Sequence, residues 1–297
     1  MNILKPKPNN YCFCTAAFGE QYRNLAKLLA TDLNKFAQSF PLVIFTDRPQ
    51  EFQNYSNVIA VKHWCRGVKT YHERRFAIQY ALSYSDTVIY LDADVRICDF
   101  IPDQLEFLSG LTARSCSSMA KHLKKYDKKD LNTKFQRKKE TIEKMANQVN
   151  VNLDSPDLKF INEFLFVIKA DQGKELDFLH WWGKLAIYAD TLGLHNNPTY
   201  AMSLAAVKTN FSVFHSEMIG LNFFDDRIEK ERIKSGTSNP NAKAEYFRAQ
   251  YEIEQKKNKL LKRLMGKIYQ PLNVFYNFIR VRITTIINPS KLIDYQY

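Results

Sequence analysis

The chain has 297 residues, a net charge of +12, 45% hydrophobic residues, and 21 Phe with 16 Tyr. That composition excludes a disordered chain, and the length allows one large domain plus an appendage. Nine glycines form no G-x-G-x-x-G and no Gly-Lys-Ser/Thr loop, which excludes the phosphate cradles of dinucleotide-binding and P-loop folds.

Tyr11 to Ala17 reads as a first strand, closing on Thr15-Ala16-Ala17-Phe18-Gly19, and Gln21 to Phe36 has apolar residues at helical spacing. Pro41 to Thr46 is a second strand that stops at Thr46-Asp47-Arg48-Pro49, a turn by composition. Val58 to Val61 is a short third. Tyr71 to Ser83 follows a helical pattern, with Phe76, Ala77, Tyr80 and Ala81 inward, and leads to the most informative run of the chain. There Val88-Ile89-Tyr90-Leu91 passes directly into Asp92-Ala93-Asp94. A buried parallel strand shows as a continuous apolar run, and open α/β sheets bind ligands beyond the carboxyl ends of their strands. Two hard oxygen donors one residue apart can serve a divalent metal, and that metal can hold a diphosphate. The pattern points to an enzyme acting on a nucleotide.

Met119 to Lys144 is basic and weakly periodic, expected as a solvated helix or excursion. Phe160 to Ile168 reads as a further strand carrying the polar pair Asn162-Glu163. Burying that pair is unfavourable unless it is hydrogen-bonded or faces a site, which makes Glu163 a candidate acceptor-facing or catalytic carboxylate. Asp177 to Tyr188 and Pro198 to Lys208 are expected helices, and Phe211 to Phe214 a strand followed by His215. Alternating strands and helices imply an α/β fold with a mostly parallel sheet and right-handed crossovers.

Residues 235–241 form a linker by composition, dividing a catalytic domain, 1–235, from a linker and basic amphipathic C-terminal extension, 236–297. From Gln255 onward nine basic residues face one acid, about two-thirds of the net charge. Leu260, Leu261, Leu264, Met265 and Ile268 form a helical stripe that Pro271 is expected to end. Such a tail suits an anionic membrane surface, or it packs on the domain with its lysines in water. Nucleic acid fits less well, because no standard nucleic-acid motif is present. The cysteines, Cys12, Cys14, Cys65, Cys98 and Cys116, include no C-x-x-C and suit small buried hydrophobes in a reducing compartment. With no apolar leader and no stretch of about 18 apolar residues, the expected location is cytoplasmic, with peripheral contact to the inner face of the membrane.

These residues together resemble the GT-A glycosyltransferases, nucleotide-sugar-dependent enzymes with an acid-x-acid motif after a hydrophobic strand. The resemblance spans Tyr11 to Asp226 and is closest at Tyr11–Gly19, Val43–Asp47 and Lys69–Ile97. It implies a GT-A type, Rossmann-like sheet and transfer of a hexose from a nucleotide-diphosphate sugar, a UDP-sugar first, to a saccharide or glycolipid acceptor. Surface polysaccharide or lipopolysaccharide synthesis would be its setting. Thr15, Ala16 and Phe18 would line the nucleoside pocket, with Asp47 beside the base or ribose and Lys69 or Arg75 reaching the ribose or diphosphate. Asp92 would bridge ribose and metal-bound water, Asp94 would ligate Mn²⁺ or Mg²⁺, and His215 would complete the metal site, favouring retention. His195-Asn196-Asn197 resembles a His-acid-acid segment of retaining members, with amides in place of both acids. Asn197 can therefore position a sugar but cannot act as base or nucleophile.

Two other readings stand beside this one. Leu91-Asp92-Ala93-Asp94-Val95 partly fits a haloacid dehalogenase-type phosphohydrolase, in which Asp92 accepts the phosphoryl group and Asp225, Asp226 and Lys208 complete the site. Against it, that motif closes the first strand of its fold. The missing acids at Asn196 and Asn197 also allow a non-catalytic membrane or nucleic-acid adaptor on a degenerate fold.

Overall fold

Strand β1 (Cys12–Ala17) is buried because both of its faces are apolar: Cys12 and Cys14 enter one core, Phe13 and Ala17 the other. The structure, a computed structural model, describes residues 10–114, 116–126, 133–224, 229, 232–233, 235–238, 241, 244–255 and 260–294. After β1 come α1 (Gly19–Phe36), β2 (Leu42–Thr46), β3 (Val58–Lys62), α2 (Arg74–Ala81), β4 (Thr87–Leu91) and β5 (Arg96–Ile97). The middle of the chain forms β6 (Gly110–Ala113), β7 (Cys116–Ser118), α3 (Met119–Leu123), α4 (Thr133–Val149), β8 (Lys159–Ile161) and β9 (Leu165–Lys169). Then follow α5 (Lys174–Thr191), α6 (Thr199–Lys208), β10 (Val213–His215), β11 (Phe223–Phe224), α7 (Ala244–Gln255), α8 (Leu260–Ile287) and α9 (Ser290–Ile293).

Seven strands form one sheet in the order β10-β6-β9-β4-β1-β2-β3. All run the same way except β9, which is antiparallel to β4 and β6. Helices α2, α4, α5 and α6 bury their apolar sides on one face, with Trp182 and Phe178 central to that layer, while α1 covers the other face. From β1 the chain builds β2 and β3 outward on one side, then returns to lay β4 on the opposite side of β1. The β1–β4 boundary is therefore a topological switch point, where the two carboxyl ends open a crevice.

Three expectations change in detail. The run from Phe160 to Ile168 is two strands in different sheets, β8 pairing with β7 and β9 with β4 and β6, and Asn162-Glu163 is the turn between them. A turn spares that polar pair the penalty of a strand interior. The basic segment from Met119 to Lys144 is not wholly solvated, since Met119, Leu123, Tyr126 and Ile142 are buried. Pro271 does not end its helix: α8 runs through it to Ile287. Proline removes one bond to the carbonyl of Lys267, which is exposed, so water can replace what is lost.

The C-terminal segment packs on the domain with one face. Val281, Leu292 and Ile293 are buried with Val68 and Ile187, and Val274 and Phe278 border them. Among the described residues no helix is long and apolar enough to cross a membrane. Cys12 and Cys14 are buried as expected and form no disulfide, whereas Cys65 is exposed and Cys98 and Cys116 are half-buried.

Candidate active site at the β1–β4 boundary

A cavity of about 420 Å³ lies at the switch point. Ala16 and Phe18 enter from the end of β1, Asp92, Ala93 and Asp94 from the end of β4, and Lys69, Thr70, Tyr71 and Arg74 from the approach to α2. Tyr90 of β4, Tyr22 of α1 and Gln270 of α8 complete the wall.

The segment before α2 is fixed by a buried acid. Glu73 accepts from His63 Nε2 at 2.7 Å and, through its other oxygen, from the amides of Arg66 at 2.9 Å and Gly67 at 2.7 Å. Burial raises its pKa, but His63 and these donors more than offset that and hold the carboxyl below its usual range. Next to it His72 is pushed down to about 4, chiefly by burial, and its Nδ1 accepts the indole N–H of Trp182 at 3.1 Å. The loop is thereby held to the start of α2, and Lys69 and Arg74 are turned to the cavity.

Arg74 is 7% exposed and Asp92 18%. The guanidinium meets Asp92 Oδ1 at 3.3 Å, donates to the Glu163 carbonyl at 2.7 Å and lies over the Tyr90 ring, 5.0 Å from its centroid. Tyr90 donates its hydroxyl to the same Asp92 oxygen at 3.1 Å. Asp92 is thus oriented from two sides while still facing the cavity. Tyr22 sits against both acids: burial first, then Tyr71, Asp94 and Asp92 raise its phenol above the usual value.

Of the residues singled out from sequence, Ala16, Phe18, Lys69, Asp92 and Asp94 come together here. Thr15 is buried beneath them, its hydroxyl without a hydrogen-bond partner among the described residues. Asp47 is engaged by Arg23 at 2.8 Å and by the Gly19 amide at 3.3 Å. Burial pulls Asp47 up, and Arg23 with the Gly19 amide outweighs it to hold the carboxyl low.

Other candidates stand elsewhere. Arg75 faces away from the cavity, donating to the carbonyls of Leu292 at 2.6 Å and of Ile293. It is the neighbouring Arg74 that faces the acids. Glu163 joins through its carbonyl, while its carboxylate accepts from Thr199 at the start of α6. Asn197 is exposed, at φ 65°, and accepts from Lys138 at 2.7 Å. His195 pairs with Asp190 at 2.9 Å. His215 ends β10, three strands from β4 and so roughly 14 Å away across the sheet. It meets Glu217 at 3.1 Å and does not line the cavity, so the arrangement behind the expectation of retention is not assembled. Lys208 lies over the Trp181 ring, and Asp225 and Asp226 fall outside the described residues.

Sequence reading missed Arg74, Tyr22, Tyr71 and Gln270. Arg74 and Arg75 are adjacent and both buried, so periodicity carried no signal to separate them. Gln270 reaches the cavity from a distant segment, and only the folded chain reveals it.

Among the described residues no group of three or more His, Cys, Asp or Glu gathers for a metal. The acid pair alone still fits a hard divalent ion such as Mg²⁺ or Mn²⁺. Mg²⁺ typically takes one or two protein carboxylates and fills its remaining positions with phosphate and water oxygens. No protein-family model matches the chain, and a search of curated proteins gives no significant match. Fold and site together define an α/β protein with a polar, acid-bearing crevice at its switch point.

Proposed function

We propose that this chain is a GT-A-type glycosyltransferase that moves a hexose from a nucleotide-diphosphate sugar, a UDP-sugar first, to a saccharide or glycolipid acceptor. One observation carries the reading: the acid pair opens onto a switch-point cavity that it shares with two cations and several aromatic rings. A nucleotide sugar has the matching parts. Its base can stack on Phe18, Tyr22 or Tyr71, as bases do on aromatic side chains. Its diphosphate can face Lys69 and Arg74. Asp92 and Asp94 would hold Mn²⁺ or Mg²⁺, which supplies Lewis-acid stabilisation of the charge on the leaving diphosphate.

The chain's own contribution is preorganisation. Arg74 is already oriented by Asp92 and the Glu163 carbonyl, so it stabilises developing charge without having to reorganise. Its burial strengthens that effect, because the surroundings screen charge less than water does. Glu163 acts here through its backbone, as a positioning group for Arg74. His215 is left out of the donor set.

The test is incubation with Mn²⁺ and a panel of UDP-, GDP- and other nucleotide sugars, following nucleoside diphosphate release and thermal shift. Release from at least one donor, abolished in Asp94→Asn, is the expected result. Silence on every donor with no nucleotide-induced shift would overturn the reading and favour a non-catalytic adaptor. Orthophosphate released from a phosphomonoester would favour a phosphohydrolase.

A further inference from the structure

A second cavity, about 440 Å³, lies where the loop after β3 meets α8 and α9. Lys62, Arg66, Arg280 and Lys291 line it, with Trp64 and Thr284, and no carboxylate does so among the described residues. Backbone contacts hold Arg66, Arg280 and the Lys291 segment together. Arg66 donates to the carbonyls of Lys291, at 3.3 Å, and of Asp294, while Arg280 donates to the carbonyls of Arg66 at 2.9 Å and Gly67 at 3.1 Å. These carbonyl acceptors are neutral and bring no formal negative charge to the cavity. The carboxylates felt nearby at Cys65 are Glu73 and Asp47, and both are engaged by other groups. Trp64 is 72% exposed, with Lys62 Nζ 5.1 Å from its ring centroid.

This cavity borders an unusual surface. Leu272, Phe275, Tyr276, Ile279, Ile283 and Ile286 of α8 are all exposed, Ile286 to 84%. At roughly 100° per residue they fall on a single face, opposite the one where Val274, Phe278 and Val281 meet the domain. Arg280 and Thr284 sit between the two faces, at the edge of the apolar stripe. A long exposed apolar stripe marks an interaction surface.

We propose that this face of α8 lies on an anionic phospholipid surface, with the Lys62–Trp64–Arg66–Arg280–Lys291 cavity receiving a phosphate-bearing lipid headgroup. Apolar side chains enter the acyl boundary, the cations meet headgroup phosphates, and an exposed indole suits the interface between them. The charge argues for lipid over a second copy of the chain, because a symmetric dimer through this face would bring like cations together. The inference does not rest on the transferase reading and survives or fails separately from it.

The test is co-sedimentation of the full chain with vesicles of phosphatidylcholine alone, and of phosphatidylcholine and phosphatidylglycerol in equal parts. Wild type is expected to partition far better to the mixed vesicles. The double variant Lys62→Gln/Lys291→Gln, altering two exposed side chains, is expected to lose about 30-fold of that binding, the ratio for two lysines near an anionic surface. Ile283→Ser/Ile286→Ser should weaken binding to both vesicle types, with the far-UV spectrum and melting temperature of each variant unchanged. Undiminished binding of the lysine variant would overturn the headgroup site. Vesicle indifference with a stable dimer in sedimentation velocity would assign the stripe to a second copy. Vesicle indifference with a thermal shift from soluble glycerol phosphate would assign the cavity to a free phosphate compound.

Discussion

Arg74 is paired with Asp92, and both are largely withdrawn from water. A buried pair contributes little net stability, but deleting one member leaves the other charge stranded. Arg74→Met is therefore expected to lower unfolding free energy by roughly 3 kcal/mol, read from urea titration, and to abolish nucleotide binding. Asp94→Asn should behave differently. It sits half-exposed on the cavity wall, so the fold should hold while calorimetry finds no Mn²⁺-dependent nucleotide binding. His72 sets a pH dependence. Its folded pKa lies near 4, against 6.5 for an unperturbed histidine, so the unfolded chain takes up the proton first as pH falls. Its contribution is fully present above about pH 6.5 and is lost on the way down to about 4, amounting to roughly 3 kcal/mol. A His72→Gln variant should show a flatter stability profile across that window. The acid pair was legible in the sequence because an apolar run ending in two carboxylates has few innocent explanations. Its partner was not, since nothing local tells which of two neighbouring arginines turns inward.

At the scale of elements, α5 approaches the C-terminal segment through Gly183. A Cβ there would stand 2.8 Å from Arg75 Nη1 and 3.1 Å from the Ile293 carbonyl. Burial, opposed only in part by Glu73, lowers the Arg75 pKa to about 10, and its charge rests against carbonyls and the Phe76 ring. Gly183→Ala should push Arg75 off those carbonyls, lowering the melting temperature and opening the chain near Asn288 to limited proteolysis. Unchanged proteolysis would show that the clamp has room to adjust. Strands β1, β2 and β4 were visible from their apolar runs, because each is buried on both faces, whereas the edge strand β3 is only half-buried and showed as the short run Val58–Val61. The split of β8 from β9 was hidden, since two short strands joined by a tight turn have the composition of one long strand with a polar interruption. Short strands such as β6 carry too few residues for any period to register.

For the whole molecule, the tail belongs to both the core and the site. Deleting 255–297 would uncover Val68 and Ile187, strip Arg75 of its carbonyl partners and remove Gln270 from the cavity wall. The truncated chain is expected to melt lower and to bind nucleotide more weakly than the full chain, both measurable by thermal shift with and without UDP. Composition revealed that the tail was basic and amphipathic, but not that it has two apolar faces. One is used against the domain and one is turned outward, a distinction that only packing makes.

Helix α8 has Gln270 on its inward side and the apolar stripe on its outward side, so a single helix separates the switch-point cavity from the outer surface. The thickness of a helix with its side chains is about 10 Å. With the rod lying flat on a bilayer and the proposed transfer taking place in the cavity, the reacting hydroxyl of a lipid-linked acceptor must project at least that far from the headgroup plane. Stand-off distance, rather than sugar identity alone, then becomes a criterion of acceptor choice.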